Sequence, residues 1–168
     1  MMKIKNINKK QGKQNNLIGK KFENYVSNIF LDLGKQNIKK NIIIKKNKCF
    51  SEFDIVYGYI NKKYVECKFK SREYVVTTEE VCVFAKKLDL HNINNSSGII
   101  ITNKYLSNKA KEICKKSRIK IIERNTLNKL DYERMNLINS LKYKLSKHPP
   151  TLEQRIFQTS YKNLIHKY

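Results

Sequence analysis

Two short runs decide how this chain folds: Ser51-Glu52-Phe53-Asp54-Ile55-Val56 and Tyr64-Val65-Glu66-Cys67-Lys68-Phe69. Successive side chains of a strand point to opposite faces. In the second run Tyr64, Glu66 and Lys68 therefore share one face. Val65, Cys67 and Phe69 share the other, which is apolar and expected to pack on the core. An Ile60-Asn61-Lys62 turn separates the runs, so Phe53–Tyr59 and Lys63–Phe69 are predicted to pair as a hairpin. Asp54 then comes near Glu66, and Glu52 is a rival expected on the opposite face. Two carboxylates converging beside a lysine need a cation. Oxygen ligands of this kind suit Mg²⁺, with Mn²⁺ as a substitute. Such an ion offsets charge developing on phosphorus, while the lysine orients or deprotonates a bound water. These are the parts for hydrolysing a phosphodiester.

Residues 16–34 read as a helix, because Ile18, Phe22, Val26, Ile29, Phe30 and Leu33 recur at three- and four-residue spacing. Gly34 is its stop. Glu23 lies in line with Val26 and Phe30, so it borders the buried stripe and is expected to face the sheet end carrying Asp54. Ile38–Lys45 is a strand candidate. Thr78–Leu90 reads as a helix with Val81, Phe84, Ala85 and Leu88 on one face, capped by Thr77 or Thr78 with Glu80. After an Asn/Ser-rich loop, Gly98–Thr102 has the continuous apolar character of a buried central strand. Ser107–Ser117 is a helix with Ser107 as N-cap, and Lys120–Glu123 a last short strand. The order α-β-β-β-α-β-α-β describes an α/β core, with a central mixed sheet flanked by helices, over residues 16–125. Residues 1–15 read as a basic flexible arm. Residues 126–168 read as a helical C-terminal extension broken at Pro149-Pro150. Its Leu137, Leu141 and Leu145 are spaced to pack on the core or on another copy, so a homodimer is a further expectation.

The pattern Asp54…Glu66-x-Lys68, on a hairpin after a Glu-bearing helix, resembles the PD-(D/E)xK nuclease superfamily and its restriction-endonuclease-like fold. Two branches compete. Gly19-Lys20-Lys21-Phe22-Glu23 and the segment from Ser97-Gly98-Ile99-Ile100-Ile101-Thr102-Asn103 to Ile119-Lys120-Ile121-Ile122 resemble the Mrr-type restriction endonucleases. Phe53-Asp54-Ile55-Val56 and Glu66-Cys67-Lys68-Phe69-Lys70-Ser71-Arg72 resemble the archaeal-type Holliday-junction resolvases. The resemblance implies that Asp54, Glu66 and the Cys67 backbone carbonyl bind the metal. It makes Lys68 the water-activating base or an electrostatic stabiliser, and Glu23 an assisting acid. Lys70, Arg72 and Lys86 are candidates for phosphate contacts. The chain departs from the Mrr branch in having Glu66 where Gln is common, and Ser51-Glu52-Phe53 where a Gly-rich run is common. The expected activity is Mg²⁺-dependent hydrolysis of double-stranded or branched DNA by a metal-activated water, of restriction, repair or junction-resolving type.

Composition agrees with a polyanionic partner. Lys+Arg number 36 against 14 Asp+Glu, for a net charge of +22, which favours nucleic acid. Only five of the cations are Arg, and Lys, Ile and Asn make up 72 of 168 residues. Those residues have AT-rich codons, so part of the charge reflects genome composition. The same charge leaves a second class open: a non-catalytic nucleic-acid-binding structural protein, such as an organellar ribosome component on a nuclease-like fold. Cys49, Cys67, Cys82 and Cys114 are widely spaced and distant in sequence from any paired His, so they read as buried reduced thiols and not a zinc site. No run approaches the ~20 apolar residues that cross a bilayer, and Met1–Gln11 lacks the apolar core of a secretory signal. The protein is thus expected inside the cell and off the membrane, in cytoplasm, nucleus or an organelle such as the mitochondrion.

Overall fold

The computed structural model describes residues 2–46, 48–71, 74–134 and 151, with side chains from residue 15 onward. In chain order the elements are α1 (Met2–Asp32), β1 (Lys39–Lys46), β2 (Cys49–Tyr57), β3 (Lys63–Lys68) and α2 (Thr78–Leu90). A short 3₁₀ turn then leads to β4 (Gly98–Thr102), α3 (Asn108–Ser117), β5 (Lys120–Ile122) and α4 (Arg124–Glu133). The five strands form one mixed sheet in sequence order. β1, β2 and β3 pair antiparallel, and β3, β4 and β5 pair parallel. This is the α/β order expected from the sequence.

Each face of the sheet is covered. On one, Phe22, Tyr25, Val26, Ile29 and Phe30 of α1 and Leu127 of α4 pack on Ile55, Val65, Ile99, Ile101 and Ile122. On the other, Val81, Phe84 and Leu88 of α2, with Ala110 and Cys114 of α3, pack on Phe53, Val56 and Ile100. β4 is buried at every position, as a strand between two helical layers must be. A Cβ on Gly98 would stand 2.6 Å from Leu88 Cδ1 and 3.1 Å from Phe84 Cε1, so glycine lets α2 lie directly on β4. Thr77 and Glu80 close a reciprocal capping box at the start of α2, and Ser107 caps α3 as its sequence position implies.

Three boundaries differ from the sequence reading. The backbone is helical from Met2 and not from residue 16; a stretch of Lys, Gln and Asn without proline has nothing to stop the helix there. β2 begins at Cys49, because residues 49–53 gain partners in β1. Leu127 is only 1% exposed in the α1 layer, so the first turns of the predicted extension belong to the core. Arg134 ties α4 to α1 through Asp32 at 3.5 Å and the face of the Tyr25 ring, and Asp131 of α4 steadies its guanidinium at 2.7 Å. Residues 135–150 and 152–168, with Pro149-Pro150 and the three leucines, lie outside the described residues. Cys49 is exposed and Cys114 buried, all four thiols being free. No described helix is long and apolar enough to cross a membrane.

Candidate active site

The site forms where β2 and β3 part. Their ladder ends at Ile55 opposite Val65, and the next pair along would be Asp54 and Glu66. Alternation breaks at this point: Phe53 packs in the α2 layer and Ile55, two residues on, in the α1 layer. Across β1 the matching residue, Asn41, takes φ +52°, a left-handed conformation that asparagine tolerates better than most residues. The twist frees Asp54 from the ladder. Its Oδ2 accepts the Cys67 N–H at 2.6 Å, taking the place a strand carbonyl would fill.

Glu66 is 5% exposed and is held between two ammonium groups. Its Oε1 accepts from Lys68 Nζ at 2.8 Å, and Oε2 from Lys87 Nζ at 2.9 Å. Lys87 also donates to the Glu52 carbonyl at 3.2 Å, which links α2, β2 and β3. Burial works to lower the Lys68 pKa, but Glu66, with help from Asp54 and Glu80, more than offsets this and leaves it raised. Asp54 is treated differently. Burial first, then the Glu66 charge, push its carboxyl up to about 7, against the stabilising Cys67 N–H. Glu23 is raised too, by burial and then by Glu52 and Glu66. Cys67 is half-buried, and desolvation, with the Asp54, Glu23 and Glu66 charges, pushes its thiol well up.

The structure thus gathers Glu23, Asp54, Glu66 and Lys68 at one end of the sheet. Glu52 is exposed on β2, and its charge helps to raise Glu23. Lys70 forms an ion pair with Glu80 at 2.7 Å. Its backbone N–H and C=O are bonded at 2.7 and 2.9 Å by the buried Asn103 amide, which extends the sheet beyond Lys68. Arg72 lies outside the described residues. Lys86 is exposed on α2, while its neighbour Lys87 enters the site. The helical wheel carries the signal that separates them. At 100° per residue, Lys87 lies about 90° from the Val81-Phe84-Leu88 stripe and Lys86 nearly opposite it. Glu80 and Lys87, seven apart, share that flank of the helix. Asn103 ends a buried strand as a buried polar residue, and only the fold shows what it bonds.

Asp54 and Glu66 present carboxylate oxygens, and a strand residue's C=O points to the same edge as its N–H, so the Cys67 carbonyl faces Asp54. These are hard donors of the type that hold Mg²⁺ or Mn²⁺ with few protein ligands. The mutual repulsion of Asp54, Glu66 and Glu23 is what a cation would relieve, so the residues fit such an ion. Among the described residues no three His, Cys, Asp or Glu side chains form a ready metal cluster. A cleft of about 400 Å³ adjoins Lys68, lined by Ile18 and Gly19 of α1 and by Phe69, Lys70 and Tyr74.

Residues 15–130 match the Mrr_cat family model, a restriction endonuclease domain. No curated protein matches the chain. Among solved structures, the protein of unknown function AF1548 shares 21% identity with a TM-score of 0.56, over 62% of this chain and 57% of that one. Can2 from Sulfobacillus thermosulfidooxidans, solved with cyclic tetra-adenylate, shares 21% at a TM-score of 0.53, over 68% of this chain and 35% of its own. The DNA modification-dependent restriction endonuclease AspBHI shares 10% at a TM-score of 0.48, over 88% of this chain and 35% of its own. The matches therefore span little more than half of the first protein and about a third of the other two. The first two likenesses show the fold, a mixed sheet flanked by helices.

Proposed function

The chain belongs to the Mrr_cat restriction endonuclease family, and from that premise we propose that it is a divalent-metal-dependent endonuclease that hydrolyses DNA phosphodiester bonds, of restriction or repair type. One observation carries the reading: a buried Glu66 clasped by two lysines beside an Asp54 that is freed from its strand ladder. An ordinary surface charge pair needs neither the burial nor the second lysine. Asp54, Glu66 and the Cys67 carbonyl are the residues that would hold Mg²⁺ or Mn²⁺. The ion would supply Lewis acidity toward the phosphate and lower the pKa of water. Lys68, kept charged by Glu66, acts as an electrostatic stabiliser and not as a base; it offsets charge building on the phosphate oxygens. In the metal-free protein burial and the Glu66 charge lift Asp54 to about 7, so a cation bound there displaces its proton and binding strengthens as pH rises. Glu23 stands at the rim as the assisting acid.

The test is cleavage of labelled linear duplex, single strand and four-way junction, each with Mg²⁺, with EDTA and with the Lys68→Ala protein. Mg²⁺-dependent cutting lost in the variant supports the reading, and preference for duplex over junction supports the restriction or repair type. Tight binding with no cutting of any substrate under Mg²⁺ or Mn²⁺ would replace it with a non-catalytic nucleic-acid-binding protein.

A further inference from the structure

β2 pairs with β1 from Cys49 to Val56 but with β3 only over Ile55–Tyr57. The two strands therefore run on beyond the sheet as a two-stranded arm, residues 42–46 and 48–53. The arm leaves the sheet at the end where Asp54, Glu66 and Lys68 stand. Its two faces differ. Ile42, Ile44, Phe53 and the buried Ser51 turn toward the α2 layer, and the Lys87 bond to the Glu52 carbonyl anchors that side. The other face carries the cross-strand pairs Ile43–Glu52 and Lys45–Phe50. Ile43 is 59% and Phe50 64% exposed, and the Lys45 ammonium lies 5.2 Å from the centre of the Phe50 ring.

Large exposed apolar side chains on a protruding arm call for a partner. Charge decides which kind. Between Asp32 and Glu52 the chain carries six lysines and no acid. A second copy docked by two-fold symmetry would set Lys45 and Lys48 against the same lysines. A polyanion with flat apolar faces meets both halves of the surface: phosphates take the lysines, and a base or sugar takes the Phe50 ring.

We propose that the β1–β2 arm is a nucleic-acid-gripping element, in which Lys45 and Lys48, with Lys46 on the arm's opposite face, hold the substrate backbone and Phe50 with Ile43 packs against a base or sugar flanking the scissile bond. The role of the arm toward a scissile bond rests on the nuclease reading; its grip on nucleic acid does not.

The experiment is binding of a short fluorescein-labelled DNA duplex and of the matching single strand to the full chain in EDTA, read by anisotropy across a salt series. The K45A/K46A/K48A protein is compared with K115A/K116A/K120A, which removes equal charge from exposed positions on α3 and β5. The arm variant is expected to bind about tenfold more weakly, with a log–log salt slope smaller by about 2 to 3, while the control changes little. Phe50→Ala is expected to bind about fivefold more weakly with an unchanged slope. Equal losses from the two triple variants, or unchanged affinity in Phe50→Ala, would overturn the proposal. So would Phe50→Ala breaking a dimer in sedimentation while nucleic-acid affinity stays intact. Because binding is read without metal, a chain that grips through the arm yet never cuts fails the nuclease reading alone.

Discussion

Asp54 and Glu66 are neighbouring carboxylates at one end of one sheet, and the fold treats them in opposite ways. Glu66 has two ammonium partners at 2.8 and 2.9 Å. Asp54 receives one backbone N–H, and burial with the Glu66 charge lifts it to about 7. One carboxylate is over-supplied with positive charge and the other under-supplied. On the proposed reading the imbalance puts the cation on the Asp54 side, and Glu66 is the residue that keeps Lys68 in place. It also predicts that removing charge from the two sites moves the protein in different directions.

The largest effect is expected at the lysine the two carboxylates share. Lys68→Ala should lower the Mg²⁺-dependent cleavage rate about a thousandfold, the scale of a lost preorganised electrostatic group. A residual loss below about tenfold, in single-turnover assays of folded protein, would move the stabilising role to Lys87. Next is Glu66→Gln, which keeps the shape and leaves two ammonium groups facing a neutral amide. Both lysines are partly exposed, so the destabilisation is expected at about 1–3 kcal/mol and not the full figure for a deeply buried pair. Urea unfolding at neutral pH measures it.

Asp54→Asn should do the reverse. The folded carboxyl titrates near 7 against an ordinary 3.8, so the folded state holds its proton over a window where the unfolded chain has lost it. Stability of the metal-free protein therefore falls as pH rises from about 4 to about 7, and the penalty is complete above that. Asparagine keeps an oxygen for the Cys67 N–H and has no proton to lose. The variant is expected to be inactive yet about 1–3 kcal/mol more stable than the parent in EDTA at pH 8, and little different at pH 4. The same competition makes the rise in Tm on adding Mn²⁺ larger at pH 8 than at pH 6. A variant less stable than the parent at pH 8 would mean that Asp54 is not the under-supplied partner.

Much of this arrangement is legible in the sequence. Period-two alternation in 64–69 put Glu66 and Lys68 on one face, the apolar run 98–102 gave the central strand, and Ser107 gave the α3 cap. These features are local, because strand period and cap chemistry act within a few residues. What the sequence hid is set by elements meeting from far apart. The ladder ends at Ile55 because β2 turns at Asp54, opposite a left-handed Asn41 on a third strand. Asn103 reaches across 33 residues to hold the Lys70 backbone. Charge alone does not separate Lys86 from Lys87; the helix face does, because only Lys87 flanks the buried stripe and reaches Glu66.

That last difference gives the smallest and most local break of the comparison. Lys87→Met removes one of Glu66's two partners and keeps the side chain's length, while Lys86→Met removes the same charge from an exposed position. If the Glu66 side is over-supplied, losing one partner leaves Lys68 still at 2.8 Å, so the Lys87 variant should fold, with a loss of about 1 kcal/mol and a Tm lower by about 2–4 °C. Cleavage should fall about tenfold, because Glu66 no longer has its second anchor to α2 and to the Glu52 carbonyl. Lys86→Met should leave Tm and rate unchanged within error. Equal effects from the two would show that Lys87 supplies only charge, and that the clasp on Glu66 does not hold the site in shape.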